Sequence, residues 1–168
     1  KGVMIEPVST TLIEQVHLHG RFRPHDLAYV QGDRQISWQQ LSQRSDNIAR
    51  ALIAAGVKPG DRIALIYGCE IEAFELILGI VRARAIFVPL SPLLAPSTLS
   101  DLVKDAGAEL LFASERFMLL AQAAIDGISV RLLSDAKEIE AFCESGNSDG
   151  VLPGISPTDI SNIIYSSG

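Results

Sequence analysis

The chain has 168 residues, a hydrophobic fraction of 48% and a charged fraction of 20%, which is typical of a globular protein and excludes a disordered one. The formal net charge of −6 at pH 7 leaves no basic stripe for a nucleic-acid backbone, so we expect no nucleic-acid partner. The longest apolar stretch, 76–81, is far shorter than the ~20 residues that cross a bilayer, so we expect no transmembrane segment.

The first third of the sequence predicts a helix, a hairpin and a second helix. Apolar spacing predicts a helix over 11–20, and strands at 27–30 and 34–37 flank a Gly32-Asp33 turn. Ser37 and Gln40 form a capping-box pattern, which predicts that a helix begins there and ends near Gly56.

The remainder alternates between apolar runs of strand length and helical patterns, which predicts a doubly wound, mostly parallel α/β sheet with flanking helices. Ser97 is the expected N-cap of one of these helices, and the loop rich in Gly, Ser and Pro at 145–159 is expected to be a linker or surface loop. The predicted strands are 62–67, 85–90, 109–112, 128–133 and 160–165, and the predicted helices are 70–84, 97–106, 116–124 and 136–143.

Most reactive side chains have ordinary explanations. His17, His19 and His25 do not have the spacing of a metal site, and the sequence contains no glycine-rich dinucleotide fingerprint or complete Walker loop. Cys69 and Cys143 lie far apart, and we interpret them as two buried free thiols of a reducing compartment, so we expect a cytoplasmic protein. We therefore assign no catalytic residue and no metal ligand.

The segment Tyr165-Ser166-Ser167-Gly168 is the one candidate for ligand binding. A strand that ends in small hydroxyl residues and glycine can form a phosphate cradle, because glycine admits the anion close to the backbone while hydroxyl and N–H groups donate hydrogen bonds. The same tetrapeptide alone is also compatible with an ordinary turn.

Four stretches stand out by their sequence and order: ISWQQL (36–41), GVKPGDRIA (56–64), RARAIFVPL (82–90) and IIYSSG (163–168). Together they resemble the N-terminal part of the adenylate-forming superfamily, which includes AMP-forming acyl-CoA synthetases and nonribosomal adenylation domains. The last stretch resembles the opening of that family's signature Y-S-S-G-T-T-G-x-P-K-G. Arg84 departs from the family pattern, which usually has Gly at that position; we expect little effect, because arginine is accepted at a helix C-terminus.

The resemblance implies that residues 1–168 are the N-terminal part of the large AMP-binding domain and that the signature continues beyond Gly168. It implies an enzyme that converts a carboxylic acid and ATP to an acyl-adenylate and pyrophosphate, with Mg²⁺, and then transfers the acyl group to CoA. Ser166, Ser167 and Gly168 would contact phosphate or shape the loop, and the 168 residues alone are expected to be inactive.

Three alternatives remain open. Leu90-Ser91-Pro92 stands where amino-acid-activating members more often have Leu-Asp, which favours an acyl-CoA synthetase over an amino-acid adenylation domain. A stand-alone binding module without chemistry and a small α/β nucleotide or redox protein are the others. A homodimer is also compatible with the sequence.

Overall fold

A parallel sheet with helices on both faces forms the body of the chain, and the computed structural model describes residues 10–146 and 150–166. The elements in chain order are α1 (Leu12–Phe22), β1 (Leu27–Gln31), β2 (Arg34–Ser37), α2 (Trp38–Ala54), β3 (Arg62–Ile66), α3 (Ile71–Arg82), β4 (Ile86–Pro89), α4 (Pro96–Ala106), β5 (Leu110–Ala113), a 3₁₀ turn (Glu115–Phe117), α5 (Met118–Ala124), β6 (Arg131–Leu133) and α6 (Ala136–Glu144).

The order of the four parallel strands is β4-β3-β5-β6, and β1 and β2 form a separate antiparallel hairpin. The chain leaves β3 for β4 on one side and then crosses to β5 on the other side of β3. The carboxyl ends of β3 and β5 therefore flank the point at which the strand order reverses, which is where doubly wound sheets usually bind ligands. The predicted fold class is confirmed.

Alternate residues of the strands pack against different helix layers, as expected for strands buried on both faces. Ile63 and Leu65 of β3 face α2, α3 and α6, whereas Ala64 and Ile66 face α4 and α5. A third cluster joins α1 and the hairpin to α2 and α3. The core therefore consists of three clusters, two of which lie on opposite faces of the sheet.

Local capping signals explain where the first two long helices begin. The Ser37 hydroxyl accepts from the Gln40 N–H and the Gln40 side chain accepts from the Ser37 N–H, which confirms the predicted capping box. Thr11 and Glu14 form a second capping box that the sequence analysis did not identify. The prediction of Ser97 as an N-cap is wrong: the N-cap is Ala95, two residues earlier, and α4 begins at Pro96, which is suited to the first helical position because it lacks an N–H group.

The predicted last strand, 160–165, is reduced to a single parallel bridge between Phe87 and Asn162. The Phe87 N–H donates to the Ser161 carbonyl and the Phe87 carbonyl accepts from the Ile163 N–H. Pro89 is the next residue of β4 whose backbone points to this outer edge of the sheet. It has no N–H group to donate, so the ladder of hydrogen bonds cannot continue. β6 is likewise shorter than predicted.

None of the helices within the described ranges combines the length and hydrophobicity needed to cross a membrane.

Candidate functional site at the carboxyl edge of the sheet

The segment that follows the bridge runs in the same direction as β4 and therefore approaches the carboxyl edge of the sheet. Of the three predicted phosphate-loop residues, Ser166 is exposed at the end of this segment, while Ser167 and Gly168 lie outside the described residues. Because Ser166 is exposed, a ligand can reach this residue.

Tyr165 attaches this segment to helix α4. Its hydroxyl donates a 2.7 Å hydrogen bond to Oδ2 of Asp105, and the Leu102 carbonyl lies 3.5 Å away. Partial burial and the Asp105 carboxylate raise the pKa of Tyr165 to about 12, so the phenol stays protonated at neutral pH. The two residues lie 60 positions apart, so no local pattern in the sequence indicates that they pair.

Arg84 and Asp159 form a second attachment on the opposite side of the bridge. Nε and Nη2 of Arg84 donate to the two carboxylate oxygens of Asp159 at 3.0 and 2.9 Å, a bidentate arrangement. The Arg84 guanidinium and the Ser156 N–H lower the pKa of Asp159. Arg84, which the resemblance marked as a departure from glycine, therefore has a specific partner.

The loop at 150–159 lies against helices α2 and α3 and is held by two further arginines. Arg50 donates to the Gly150 carbonyl at 3.1 Å, and Arg82 donates to the Pro153 carbonyl at 2.6 Å. This loop is thus attached to the helices along its described length.

A cavity of about 400 Å³ lies at the carboxyl ends of β3 and β5, at the reversal of strand order. Apolar side chains of α2, α3 and α6 form part of its wall, and ion pairs surround it. Arg116 contacts Glu70 at 2.8 Å, and Arg44 contacts both Glu75, at 3.4 Å, and Glu140. The lining residues are Arg34, Arg44, Ile48, Tyr67, Glu70, Glu72, Glu75, Leu76, Ser114, Glu115, Arg116, Ala136, Ile139, Glu140 and Cys143.

Burial sets the protonation of several groups around this cavity. It raises the pKa of the Tyr67 phenol and of the Glu75 carboxyl, although Arg44 opposes the shift of Glu75. Within the described ranges, Oε2 of Glu70 and Oγ of Ser114 are buried without a hydrogen-bond partner. The acidic residues and arginines nevertheless pair with one another, which is typical of a structural charge network.

The thiols and histidines do not form a reactive cluster. Cys143 is buried, but Cys69 is exposed, so the prediction that both thiols are buried is wrong for Cys69. His17 contacts Asp46 at 3.2 Å and His19 packs on Trp38, with 4.6 Å between ring centroids. Across 10–146 and 150–166, no three His, Cys, Asp or Glu side chains converge as metal ligands would.

Comparison with known proteins identifies relatives of this chain. The sequence profile of the AMP-binding enzyme family matches residues 17–168. The fatty acid–[acyl-carrier-protein] ligase ScoC of Streptomyces coeruleorubidus is 31% identical over 111 residues, which is 66% of this chain and 21% of ScoC. Malpinin synthetase of Mortierella alpina is 30% identical over 145 residues, which is 86% of this chain and 2% of the synthetase.

The fold has close counterparts among solved structures. The anthranilate CoA ligase AuaEII, in complex with anthranoyl-AMP, matches with a TM-score of 0.86 at 20% sequence identity. The match covers 97% of this chain and 32% of that one, and this chain spans about a fifth or less of the two curated relatives above. The ordered motifs, the parallel sheet and the family match agree. The chain belongs to the AMP-binding enzyme family of the adenylate-forming (ANL) superfamily.

Proposed function

We propose that this chain is the N-terminal part, residues 1–168, of the large AMP-binding domain of an ATP-dependent, AMP-forming acyl-CoA synthetase. One observation carries the proposal. In a chain of this family, a segment laid parallel to β4 leads to Tyr165 and the exposed Ser166 at the carboxyl edge of the sheet, and Ser167 and Gly168 follow in sequence.

In this proposal, the chain's own residues bind and orient the triphosphate of ATP. The hydroxyls of Ser166 and Ser167 and nearby backbone N–H groups donate to phosphate oxygens, and Gly168 admits the phosphate close to the backbone. Holding the triphosphate in this way aligns the α-phosphorus with an incoming carboxylate oxygen. The carboxylate O–P bond then forms while the P–O bond to pyrophosphate breaks, which gives an acyl-adenylate.

The second half-reaction transfers the acyl group. The sulfur of CoA loses its proton to solvent and forms a bond to the acyl carbon, while the bond from that carbon to the phosphate oxygen breaks and AMP leaves. None of the residues 10–146 and 150–166 is assigned to this step. Magnesium enters the proposal as the companion of the ATP phosphates, and because no described cluster of carboxylates fits it, we assign it no ligand in this chain.

The acceptor of the acyl group is the least constrained part of the proposal. Leu90-Ser91-Pro92 favours a CoA-dependent enzyme over an amino-acid-activating domain. The similarity to ScoC supports another acceptor, the acyl-carrier protein that the name of ScoC specifies. We interpreted the two free thiols as those of a protein in a reducing compartment, and this interpretation favours a cytoplasmic location. That the protein forms a homodimer stays a prediction.

The test is carboxylate-dependent exchange of labelled pyrophosphate into ATP. The protein is expressed with whatever its reading frame adds on either side of these residues, and a panel of fatty, aryl, short-chain and amino acids is offered. Exchange with a non-amino carboxylic acid, followed by thioester formation on CoA but not on a carrier protein, is the expected result. Exchange with amino acids only would favour the adenylation-domain alternative.

Ser166→Ala should reduce exchange by about 10- to 100-fold, the effect of losing one hydrogen bond to a charged group. Ser129→Ala is the matched control, since Ser129 is exposed just before β6, at the opposite edge of the sheet, and should leave exchange unchanged. A folded protein that exchanges with no acid would refute the enzyme proposal and favour a non-catalytic module.

A further inference from the structure

The backbone of Arg84 adopts a conformation that glycine usually occupies. Arg84 has φ 62°, and within 10–146 and 150–166 it is the sole non-glycine residue with a positive φ. It follows the C-cap of α3, where its N–H donates to the Val81 carbonyl and the Ala85 N–H donates to the Ile80 carbonyl. This is a Schellman motif, in which a side chain at the left-handed position costs free energy that glycine would not.

The side chain of Arg84 makes a contact that glycine cannot make, the bidentate pair with Asp159. Asp159 is itself fixed, because its Oδ2 accepts from the Ser156 N–H at 2.9 Å and its own N–H donates to the Ser156 carbonyl at 3.0 Å. The guanidinium therefore holds the whole turn at 156–159 against the end of helix α3.

The Arg84–Asp159 ion pair and the Phe87–Asn162 bridge join residues that are the same number of positions apart in the sequence. Arg84 and Asp159 are 75 positions apart. Phe87 and Asn162, each three positions further along, are therefore separated by the same interval. The ion pair thus lies three positions upstream of the bridge along one parallel alignment of the two segments.

The backbone ladder alone specifies this alignment weakly. It consists of one bridge with two hydrogen bonds, and Pro89 prevents a second one. A slip by one residue would turn every following side chain to the other face of the segment, Ser166 included. A second contact that is consistent with the same alignment fixes which residues of the segment lie beside β4, and therefore where Ser166 lies.

We propose that Arg84 is a positioning residue that, through Asp159, sets the register of segment 160–166 against β4 and so places the phosphate-binding loop. The inference rests on the proposed function for its catalytic consequence, but not for its structural one. Arg84 itself lies before β4, at the amino end of the sheet, and contacts no reacting atom.

Hydrogen exchange of the full protein tests the structural part. The Ile163 amide, which donates to the Phe87 carbonyl, is followed in peptides that cover 160–166. Arg84→Gly and Asp159→Asn should each accelerate its exchange about 3- to 10-fold, and the double variant should exchange no faster than the faster single variant. Arg84→Lys, which keeps the charge but loses the bidentate geometry, should fall between Arg84→Gly and wild type.

The Arg84→Gly variant distinguishes a role in positioning segment 160–166 from a contribution to the stability of the whole protein. Glycine relieves the left-handed backbone, so the thermal midpoint should be unchanged or higher while segment 160–166 loosens. Arg50→Ala is the matched control, because Arg50 also attaches the preceding loop to a helix but lies outside the shared register. It should leave exchange at Ile163 unchanged.

Pyrophosphate exchange tests the catalytic part. In Arg84→Gly and Asp159→Asn, KM for ATP should rise about 3- to 10-fold while KM for the acid stays constant. Unchanged Ile163 protection and unchanged KM for ATP in both variants would overturn the proposal. If wild type shows no exchange with any acid, the proposed function fails, and amide protection alone decides on the register contact.

Discussion

The Tyr165 hydroxyl donates a 2.7 Å hydrogen bond to the carboxylate of Asp105 and so connects the candidate phosphate segment to helix α4. Arg84 and Asp159 hold the same segment from the other side of the bridge. The segment is therefore fixed at both ends by side chains, although its backbone pairs with the sheet at one position only.

Replacing Tyr165 by Phe should loosen the end of this segment with little effect elsewhere. The lost hydrogen bond is exposed to solvent, so the free energy of unfolding should fall by about 1 kcal/mol or less. Urea denaturation measures that loss, and hydrogen exchange at the Ile163 amide, which donates to the Phe87 carbonyl, measures the loosening. Tyr29→Phe is a suitable control, since the Tyr29 hydroxyl donates to the Cys69 carbonyl away from this segment. Equal loosening in both variants would contradict the local role.

Gly79→Ala should destabilise the packing of α3 on α2. A Cβ at this position would lie 2.3 Å from Cγ2 and 2.5 Å from Cβ of Ile48, which is fully buried. Alanine is intrinsically better than glycine in a helix by about 1 kcal/mol, but overpacking of a core contact costs about 1–3 kcal/mol or more. Because Ile48 is branched at the clashing atom and cannot turn away, the clash should dominate.

Denaturation of Gly79→Ala beside Gly154→Ala measures this effect, since a Cβ at Gly154 meets nothing within 4 Å. Ile48→Ala removes Cγ2 of Ile48 but keeps its Cβ, so it relieves only the shorter of the two contacts, and a double-mutant cycle with Gly79→Ala should show non-additive losses of stability. A Gly79→Ala variant as stable as Gly154→Ala would refute the close approach of the two helices.

The two thiols should differ in reactivity. Cys69 is exposed, whereas Cys143 is buried and burial raises its pKa to about 12. Since the thiolate is the nucleophile, a disulfide reagent at neutral pH should label Cys69 rapidly and Cys143 only after unfolding. Mass spectrometry of the labelled native protein locates the reacted thiol. Rapid native labelling of Cys143 in a Cys69→Ser variant would argue against its burial.

The Arg84–Asp159 pair should contribute stability at neutral pH and lose it in acid. The pair lowers the pKa of Asp159 below its ordinary value of 3.8, so the folded state binds fewer protons at this group than the unfolded state. The ion pair therefore stabilises the folded state fully at pH values above 3.8. This stabilisation disappears as the pH falls through the lower pKa that Asp159 has in the folded state.

Comparing wild type with Asp159→Asn across a pH series isolates this group from the other carboxylates. The gap in thermal midpoint should be constant above about pH 4 and should close below it. A gap that persists in strong acid would mean that the carboxylate charge is not what stabilises the contact.

Local sequence rules accounted for most of the elements. Ser37 and Gln40 predicted the start of α2 because both partners of a capping box lie within one turn, and the buried strands followed from their apolar runs. These features depend on neighbours along the chain, which the sequence displays directly.

The N-cap error at Ser97 is local, but the error at the last strand and the missed side-chain pairs concern partners that are remote in sequence. The length of the strand expected at 160–165 depends on Pro89 of the facing β4, which the apolar residues of 160–165 do not reveal. Arg84 was recognised as unusual from the family pattern, but its pairing with Asp159 needed the fold, and so did the role of Asp105. The phosphate-loop assignment of Ser166, Ser167 and Gly168 stays a prediction, since two of the three lie outside the described residues.

The segment that pairs with the outer edge of β4 lies far from β4 in the sequence, and this separation affects folding during synthesis in the cell. Phe87 leaves the ribosome long before Asn162, because the shared register puts 75 positions between them. At a synthesis rate of ~5–20 residues per second, the backbone N–H and C=O groups on the outer edge of β4 stay unpaired for about 4 to 15 s. During that interval the nascent chain presents an unpaired strand that another chain could join, and Pro89, which ends the ladder in the finished protein, also limits how far such a wrong pairing can extend.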